Sequence, residues 1–286
     1  MEEFEKNRRK VKHCPCGKSN ADGKFAPFAG KTNEGYCHSC CKTFSNKEYK
    51  PSNSPSKKVE KKVISMTHDN IKRSQENQGQ DRFSMFLLNK YGSRAFNEVS
   101  KLYSIGLSNR WQGATVFWYI DSQWNVRTGK IMLYDSETGR RVQNPKPRID
   151  WAHSGVPKEE NEVFRPCLFG EHLINVHPHK PIALVESEKT AVISSLYFPQ
   201  FNWLATGGSG GLKLEKLQPI LHKKIVFFPD LDAHDKWSDF ATQLKQLYNI
   251  KVSTYLHENS SENEKSSKFD LSDYLLQYQL CTFKTH

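Results

Sequence analysis

PIALVESEKTAVISSLYFPQFNWLATGGSGG at residues 181–211 and KIVFFPDLDAH at residues 224–234 are the stretches whose reading decides the fold. Short apolar runs, IALV and NWLA and then KIVFF, are each followed by a segment of helical length. A helix is expected through Tyr197, a second near Leu212 to Leu221, a third ending at Tyr248, and a last strand at VSTYL (252–256). Strands separated by helical stretches of about 10–15 residues imply a parallel sheet flanked by helices. In such sheets chemistry gathers beyond the carboxyl ends of the strands. Two of these strands end in acids, at Glu186 and at Asp230.

Glu186, the pair Asp230 and Asp232, and the pair Asp270 and Asp273 form three acidic groups in a block, 166–286, whose net charge is only −1. Carboxylates gathered at strand ends need compensation. Mg2+ or Mn2+ supplies it, taking hard oxygen ligands and leaving positions for water and phosphate oxygens, as phosphoryl transfer requires. Any one of these aspartates alone is better read as a helix cap or a solvated loop charge; three groups at matching strand ends shift the balance towards a cation.

Upstream, FSMFLLNKYG (83–92) has helical apolar spacing and ends in a glycine stop signal. TVFWYIDSQWNVRTGKIMLYD (115–135) reads as a hairpin of two strands rich in β-branched and aromatic residues. Its far end carries Arg127, Lys130, Arg140, Arg141, Lys146 and Arg148, interleaved with Trp124, Tyr134 and Trp151. The preceding segment, 51–80, is rich in Pro, Ser, Lys, Asn and Gln, with only Val63, Ile64 and Met66 to bury, and reads as a flexible basic linker.

Five of the seven cysteines lie within residues 14–41. Pairs without a secretion signal favour metal over disulfides. Cys14, Cys16, Cys37 and Cys40 can present four thiolates to one tetrahedral zinc ion, with Cys41, His13 and His38 in reach as substitutes. Four thiolates leave no open position for water, so the zinc is structural, in a ribbon that either contacts DNA or only staples its own segment. Ala29-Gly30-Lys31-Thr32 imitates the end of a phosphate-binding loop, but Phe25 stands where that motif needs glycine.

The net charge of +11 is unevenly spread: +8 over residues 1–80 and +4 over 81–165. A basic front half attracts polyanions by counterion release, and nucleic acid is the commonest such partner. No apolar run approaches the ~18 residues of a membrane span and Met1–Lys12 is charged, so a soluble cytoplasmic protein with no membrane partner is expected.

VESEKTA after one strand, PDLDAH after another and KFDLSDYLL downstream resemble the three motifs of the Toprim domain, which bacterial-type primases share with topoisomerases and some nucleases. The order of parts, cysteine pairs, linker, basic hairpin and PCLFGEHLI leading into the acidic block, is similar to DnaG-type primases of mobile elements or phages. The likeness spans nearly the whole chain but is sharp only in the motifs. It implies an α/β multidomain fold: a zinc ribbon (1–50), the linker (51–80), a basic primase-like subdomain (81–165) and a Toprim domain (166–286). It further implies that Glu186, Asp230 and Asp232 are catalytic and bind Mg2+ or Mn2+, with Asp270 and Asp273 as further ligands. Arg127 and Lys130, with Arg140, Lys146 and Arg148 nearby, would contact template or nucleotide phosphates. Gly208 and Gly210, in a turn like the one after the second Toprim strand, would let backbone N–H groups approach a phosphate, or would equally form a plain structural loop. Lys189 would reach a phosphate or merely cover its helix. The implied activity is synthesis of short RNA primers from nucleoside triphosphates on single-stranded DNA, with a replicative helicase as a further partner class. Two other readings use the same residues: a nuclease built on the same carboxylates, or a non-catalytic single-strand-binding module.

Overall fold

The computed structural model describes residues 3–39, 42–45, 61–144, 146–266 and 269–280. The chain forms two units, Met1–Val59 and Glu60–His286. In the first, β1 (Phe25–Pro27), β2 (Gly35–Cys37) and β3 (Lys42–Phe44) make an antiparallel sheet in chain order. Gly35 has φ +153°, and a Cβ there would fall 2.2 Å from the Ala26 carbonyl oxygen, so only glycine allows the close pairing. The apolar core is small, Cys14, Phe25 and Cys37 with Val11, Cys16 and Phe44 at its edge. Much of the order is polar: buried Asn20 donates to the Arg8 and Val11 carbonyls and accepts the Phe25 N–H at 2.7 Å. Few domains below about 40 residues fold on so little burial without a metal or disulfides.

The second unit begins with a correction. Residues 61–80, expected as flexible linker, carry β4 (Lys62–Ile64) and α1 (His68–Gln75), while 51–60 lie outside the described residues. The few apolar residues suffice because partners are supplied from elsewhere: β4 pairs in parallel with a strand about 100 residues away, and Met66 bridges Val126. α1 starts where the Asn70 side chain accepts the Thr67 N–H at 3.1 Å, and it buries Ile71.

α2 (Arg82–Tyr103) is capped by Asp81, whose carboxylate accepts the Ser84 N–H at 3.0 Å. The glycine expected to stop it, Gly92 (φ +80°), interrupts it instead, and the helix resumes to bury Phe96, Val99 and Tyr103. There follow β5 (Gly106–Ser108), β6 (Ala114–Ile120), β7 (Val126–Met132) and β8 (Ile149–Trp151), an antiparallel sheet in chain order, and β9 (Glu162–Phe164), the partner of β4. The expected hairpin is β6–β7. Its turn closes on Asp121, which accepts the amides of Gln123 and Asn125 at 2.8 and 2.9 Å.

After α3 (Leu173–Val176) come β10 (Ile182–Val185), α4 (Glu188–Tyr197), β11 (Asn202–Ala205), α5 (Leu214–Leu217), β12 (Ile225–Phe227), α6 (His234–Leu244), β13 (Ile250–Val252), α7 (Tyr255–Asn259), α8 (Glu262–Ser266) and α9 (Leu271–Leu275). The four strands form the expected parallel sheet, in the order β11-β10-β12-β13. Ala183, Val185, Trp203 and Ala205 pack into one core and Ile182, Leu184, Leu204, Ile225 and Phe227 into another, which explains the nearly continuous apolar runs. Three elements are shorter than expected, the first being α6, which ends at Leu244 rather than at Tyr248. The helix over 212–221 is the single turn α5 followed by a 3-10 turn at Gln218–Ile220, which contains Pro219. The strand expected at 252–256 ends at Val252, because the Ser253 hydroxyl accepts the Tyr255 N–H and turns the chain into α7.

The fold is therefore mixed α/β, with a four-stranded antiparallel sheet, a four-stranded parallel sheet and the two-stranded parallel β4–β9 pair in the second unit. The segments expected as separate domains on either side of residue 165 share a core, in which Phe117 and Tyr119 of β6 cluster with Ala183 and Val185 of β10. Among the described residues no helix is long and apolar enough to cross a membrane.

Candidate active site

From β10 the chain runs to β11 on one side, then crosses back to β12 on the other. Such a reversal of strand order opens a crevice at the carboxyl ends of the two strands where it occurs, because the connections leave in opposite directions. Glu186 follows β10 directly, and Asp230 follows β12 after Phe228 and Pro229. The turn bearing Asp230 and Asp232 is tied down by the Leu231 N–H to the Phe269 carbonyl and by Ala233 N–H to the Asp230 carbonyl.

The electrostatics show that these acids share one space. Burial, then the charges of Asp270, Glu186 and Asp232, push Asp230 up to about 8, against an opposing pull from Lys189. Glu186 is raised by burial and by Asp232, while Lys236 and the indole of Trp237 hold it back. The buried Trp237 N–H points towards this carboxylate without closing a hydrogen bond. Glu186 and Asp230 are both raised by the charge of Asp232, a repulsion that a divalent cation relieves, so Mg2+ or Mn2+ fits the chemistry of the three acids. Their oxygens are not drawn into one tight cage: among the described residues, only three cysteines bring three ligand atoms within 4.8 Å of one another. Because a proton on Asp230 competes with a cation, Mn2+ affinity is expected to fall about tenfold per pH unit below about 8. Titrations at pH 6.5 and 7.5 measure this directly.

Asp270 and Asp273 stand otherwise than expected. They form the capping box of α9, Asp270 accepting the Asp273 N–H at 2.9 Å, and Lys189 lies 3.0 Å from Asp273 and 3.6 Å from Asp270. The expected metal ligands are thus engaged by protein donors. Lys189, expected at a phosphate or on the helix surface, is buried in that ion pair. Burial works against its charge, but the two aspartates raise its pKa, and Asp270 is lowered despite its own burial.

Lys130 is also buried rather than displayed. Its ammonium lies 3.0 Å from Glu188 and donates to the Gly207 carbonyl at 2.9 Å, while the Tyr119 hydroxyl donates to the same Glu188 carboxylate. Gly207 and Gly208 in turn donate their N–H groups to the Glu186 carbonyl at 3.0 and 2.9 Å. The amide of Gly208, expected for a phosphate, is therefore used to fix Glu186, and the α5 that follows is one turn long. Gly210 has open space where a Cβ would stand. Lys216 and Lys236 hold the Thr206 and Ser209 carbonyls at 3.2 and 2.6 Å, so three lysines surround the glycine loop. Lys130→Met leaves Glu188 buried and unpaired, and should destabilise the chain by about 3–5 kcal/mol. The double variant with Glu188→Gln should recover most of that loss in urea unfolding.

In the first unit Cys14, Cys16 and Cys37 have mutually close sulfurs, within 4.8 Å. The turn that presents the first two is closed by the Gly17 N–H on the Cys14 carbonyl. Burial, with Cys16 and Cys37 beside it, pushes the Cys14 thiol up to about 12, a cost that a bound cation reverses by stabilising the thiolates. His13 and His38 are not in this cluster, and Cys40 and Cys41 lie outside the described residues. Three soft sulfur donors fit zinc.

A family model described as "Domain of unknown function (DUF6371)" matches residues 81–231, more than half of the chain. The chain belongs to this family. No curated protein matches it. Among solved structures, the DUF6371 chain is similar to the RNA polymerase domain of Mycobacterium tuberculosis primase DnaG, at 9% identity and a TM-score of 0.46 over 73% of this chain and 78% of that one. It is also similar to the primase fragment of the bacteriophage T7 primase-helicase protein, at 17% identity and a TM-score of 0.42 over 90% and 97%. A third likeness is to a DnaG primase catalytic domain bound to single-stranded DNA, at 13% identity and a TM-score of 0.44 over 73% and 83%.

The matched DUF6371 region contains both strands of the crevice and the basic hairpin. Arg127 is largely buried, 3.6 Å from Asp121 and donating to the Arg165 carbonyl. Arg140, Lys146 and Arg148 are exposed along the segment joining β7 to β8. At its start Tyr134 bridges Arg141, and the Tyr134 hydroxyl is raised by burial and by the charge of Glu188. The sequence reading of the DUF6371 chain missed Glu188, Tyr119, Lys216 and Lys236. Glu188 had a signal, a second acid two residues after Glu186, but the lysines reach the loop only through the fold.

Proposed function

We propose that this protein is a primase-like nucleotidyltransferase that makes short RNA primers on single-stranded DNA. The observation that carries the reading is the convergence of Glu186, Asp230 and Asp232 at the crevice beside β10 and β12, in a unit that also displays the exposed Arg140, Lys146 and Arg148. Their motifs are also those that resemble the Toprim motifs of primases, of the kind found on phages and mobile elements.

In this reading Glu186, Asp230 and Asp232 hold Mg2+ or Mn2+ at the strand ends. Such an ion, when bound, stabilises the charge that builds on the α-phosphate and on departing pyrophosphate. Glu186, with its raised proton affinity, accepts the proton of the attacking 3′-hydroxyl. Lys216 and Lys236, at the rim of the glycine loop, face the nucleotide phosphates, and Arg140, Lys146 and Arg148 hold the template backbone. Zinc bound by Cys14, Cys16, Cys37 and a fourth ligand at Cys40 or Cys41 orders the first unit as a ribbon. A replicative helicase is the partner class such a primase serves.

Incubation with single-stranded DNA circles, labelled nucleoside triphosphates and Mg2+ or Mn2+ tests the proposal. Short labelled oligoribonucleotides are expected. Cleavage of the DNA in the absence of nucleotides would replace the reading with a hydrolytic one, and DNA binding with neither reaction would leave a binding module.

A further inference from the structure

Beside the three acids stand two more carboxylates whose oxygens already have protein donors. Asp270 Oδ1 accepts the Ser272 hydroxyl at 2.6 Å and the Asp273 N–H at 2.9 Å. Its Oδ2 accepts the Thr190 hydroxyl at 3.0 Å and lies 3.6 Å from Lys189 Nζ. A carboxylate offers about four acceptor positions, and Asp270 has three of them filled by hydrogen bonds while the Lys189 ammonium stands over the remaining side. Asp273 places Oδ1 3.0 Å from the same ammonium, and its Oδ2 accepts the Asp270 N–H at 3.4 Å.

Lys189 comes from α4, three residues after Glu186, and crosses to the start of α9 with 9% of its surface exposed. A buried ammonium persists only where carboxylates pair with it, and these carboxylates in turn are held in place by it. The ammonium stands against both α9 aspartates, and Asp230 is raised by Asp270 and held back by Lys189. A fixed positive charge there repels a second divalent ion.

We propose that Lys189 is a resident counter-cation for Asp270 and Asp273, so that the centre takes one divalent ion, on Glu186, Asp230 and Asp232, and none on the acids of α9. The inference rests on the reading of those three acids as cation ligands. It adds the stoichiometry and the reason for it: a lysine occupies the place of a second ion. The centre then acts with one mobile cation and one that is built into the chain.

Titration of the full, zinc-loaded chain with Mn2+, followed by the electron paramagnetic resonance signal of free Mn2+, tests this. One Mn2+ per chain is expected, weakened at least about a hundredfold by Asp230→Asn and unchanged in number by Asp273→Asn. A folded Lys189→Met chain should gain a second, weaker Mn2+ that is lost again when Asp273→Asn is added. Two ions on the native chain, one of them lost in Asp273→Asn, would overturn the inference while leaving the three-acid site standing. A folded Lys189→Met chain that still binds one ion would also overturn it. No Mn2+ on the native chain, or a single ion indifferent to Asp230→Asn, would remove the underlying site itself. Because Lys189→Met strands two partly buried carboxylates and can fail to fold, the native and Asp273→Asn titrations decide the matter without it.

Discussion

Asp230→Asn is expected to cut primer synthesis by on the order of a thousandfold while leaving the fold and single-stranded DNA binding intact. A cation at a reacting phosphate contributes several kcal/mol, and each ~1.4 kcal/mol is a factor of ten in rate. The variant should not lose stability, because the carboxylate it removes is itself costly in the metal-free chain. Asp230 has its folded pKa raised from the ordinary 3.8 to about 8. Between those values the folded state holds a proton that the unfolded state has released. Its contribution to stability is therefore fully present below about 4 and is lost as pH rises through about 8. Thermal unfolding of the metal-free native chain should fall in midpoint over that window, and the Asn variant should lack this component. A variant that melts like the native chain yet keeps its full rate of synthesis would remove Asp230 from the chemistry.

The second large effect concerns the first unit. Cys37→Ser, or removal of zinc with a chelator, should unfold residues 1–59 and leave the 60–286 unit folded. The core around Cys14, Phe25 and Cys37 is too small to replace the binding free energy of a structural zinc, about 10–16 kcal/mol in small zinc domains. Hydrogen exchange read segment by segment should show loss of protection in β1 and β2 with β6 and β10 unchanged. Retained protection in β1 and β2 with no zinc bound would contradict the assignment of the cysteines.

The parallel sheet was legible because both of its faces are buried, and a run such as IALV declares such a strand without help from its neighbours. The places of Glu186 and Asp230 near strand ends were legible for a related reason: a carboxylate at or shortly after the end of an apolar run is conspicuous. What the sequence could not show is partnership at a distance. β4 depends on β9, about 100 residues on, so its segment reads as linker until the partner is in place. Lys130 and Lys189 read as surface charges because their partners, Glu188 and the α9 aspartates, are 58 and 84 residues away. The α9 aspartates themselves fit a cap and a metal ligand equally well in sequence. Only the positions of Thr190, Ser272 and Lys189 choose the cap.

The central claim is that Glu186, Asp230 and Asp232 hold one divalent ion between them. Crystals soaked in Mn2+ and measured at the manganese absorption edge test it most directly. A single anomalous peak bounded by those three side chains, absent in Asp230→Asn crystals, is the predicted result. Ordered carboxylates with no peak between them, or manganese only elsewhere on the chain, would contradict it.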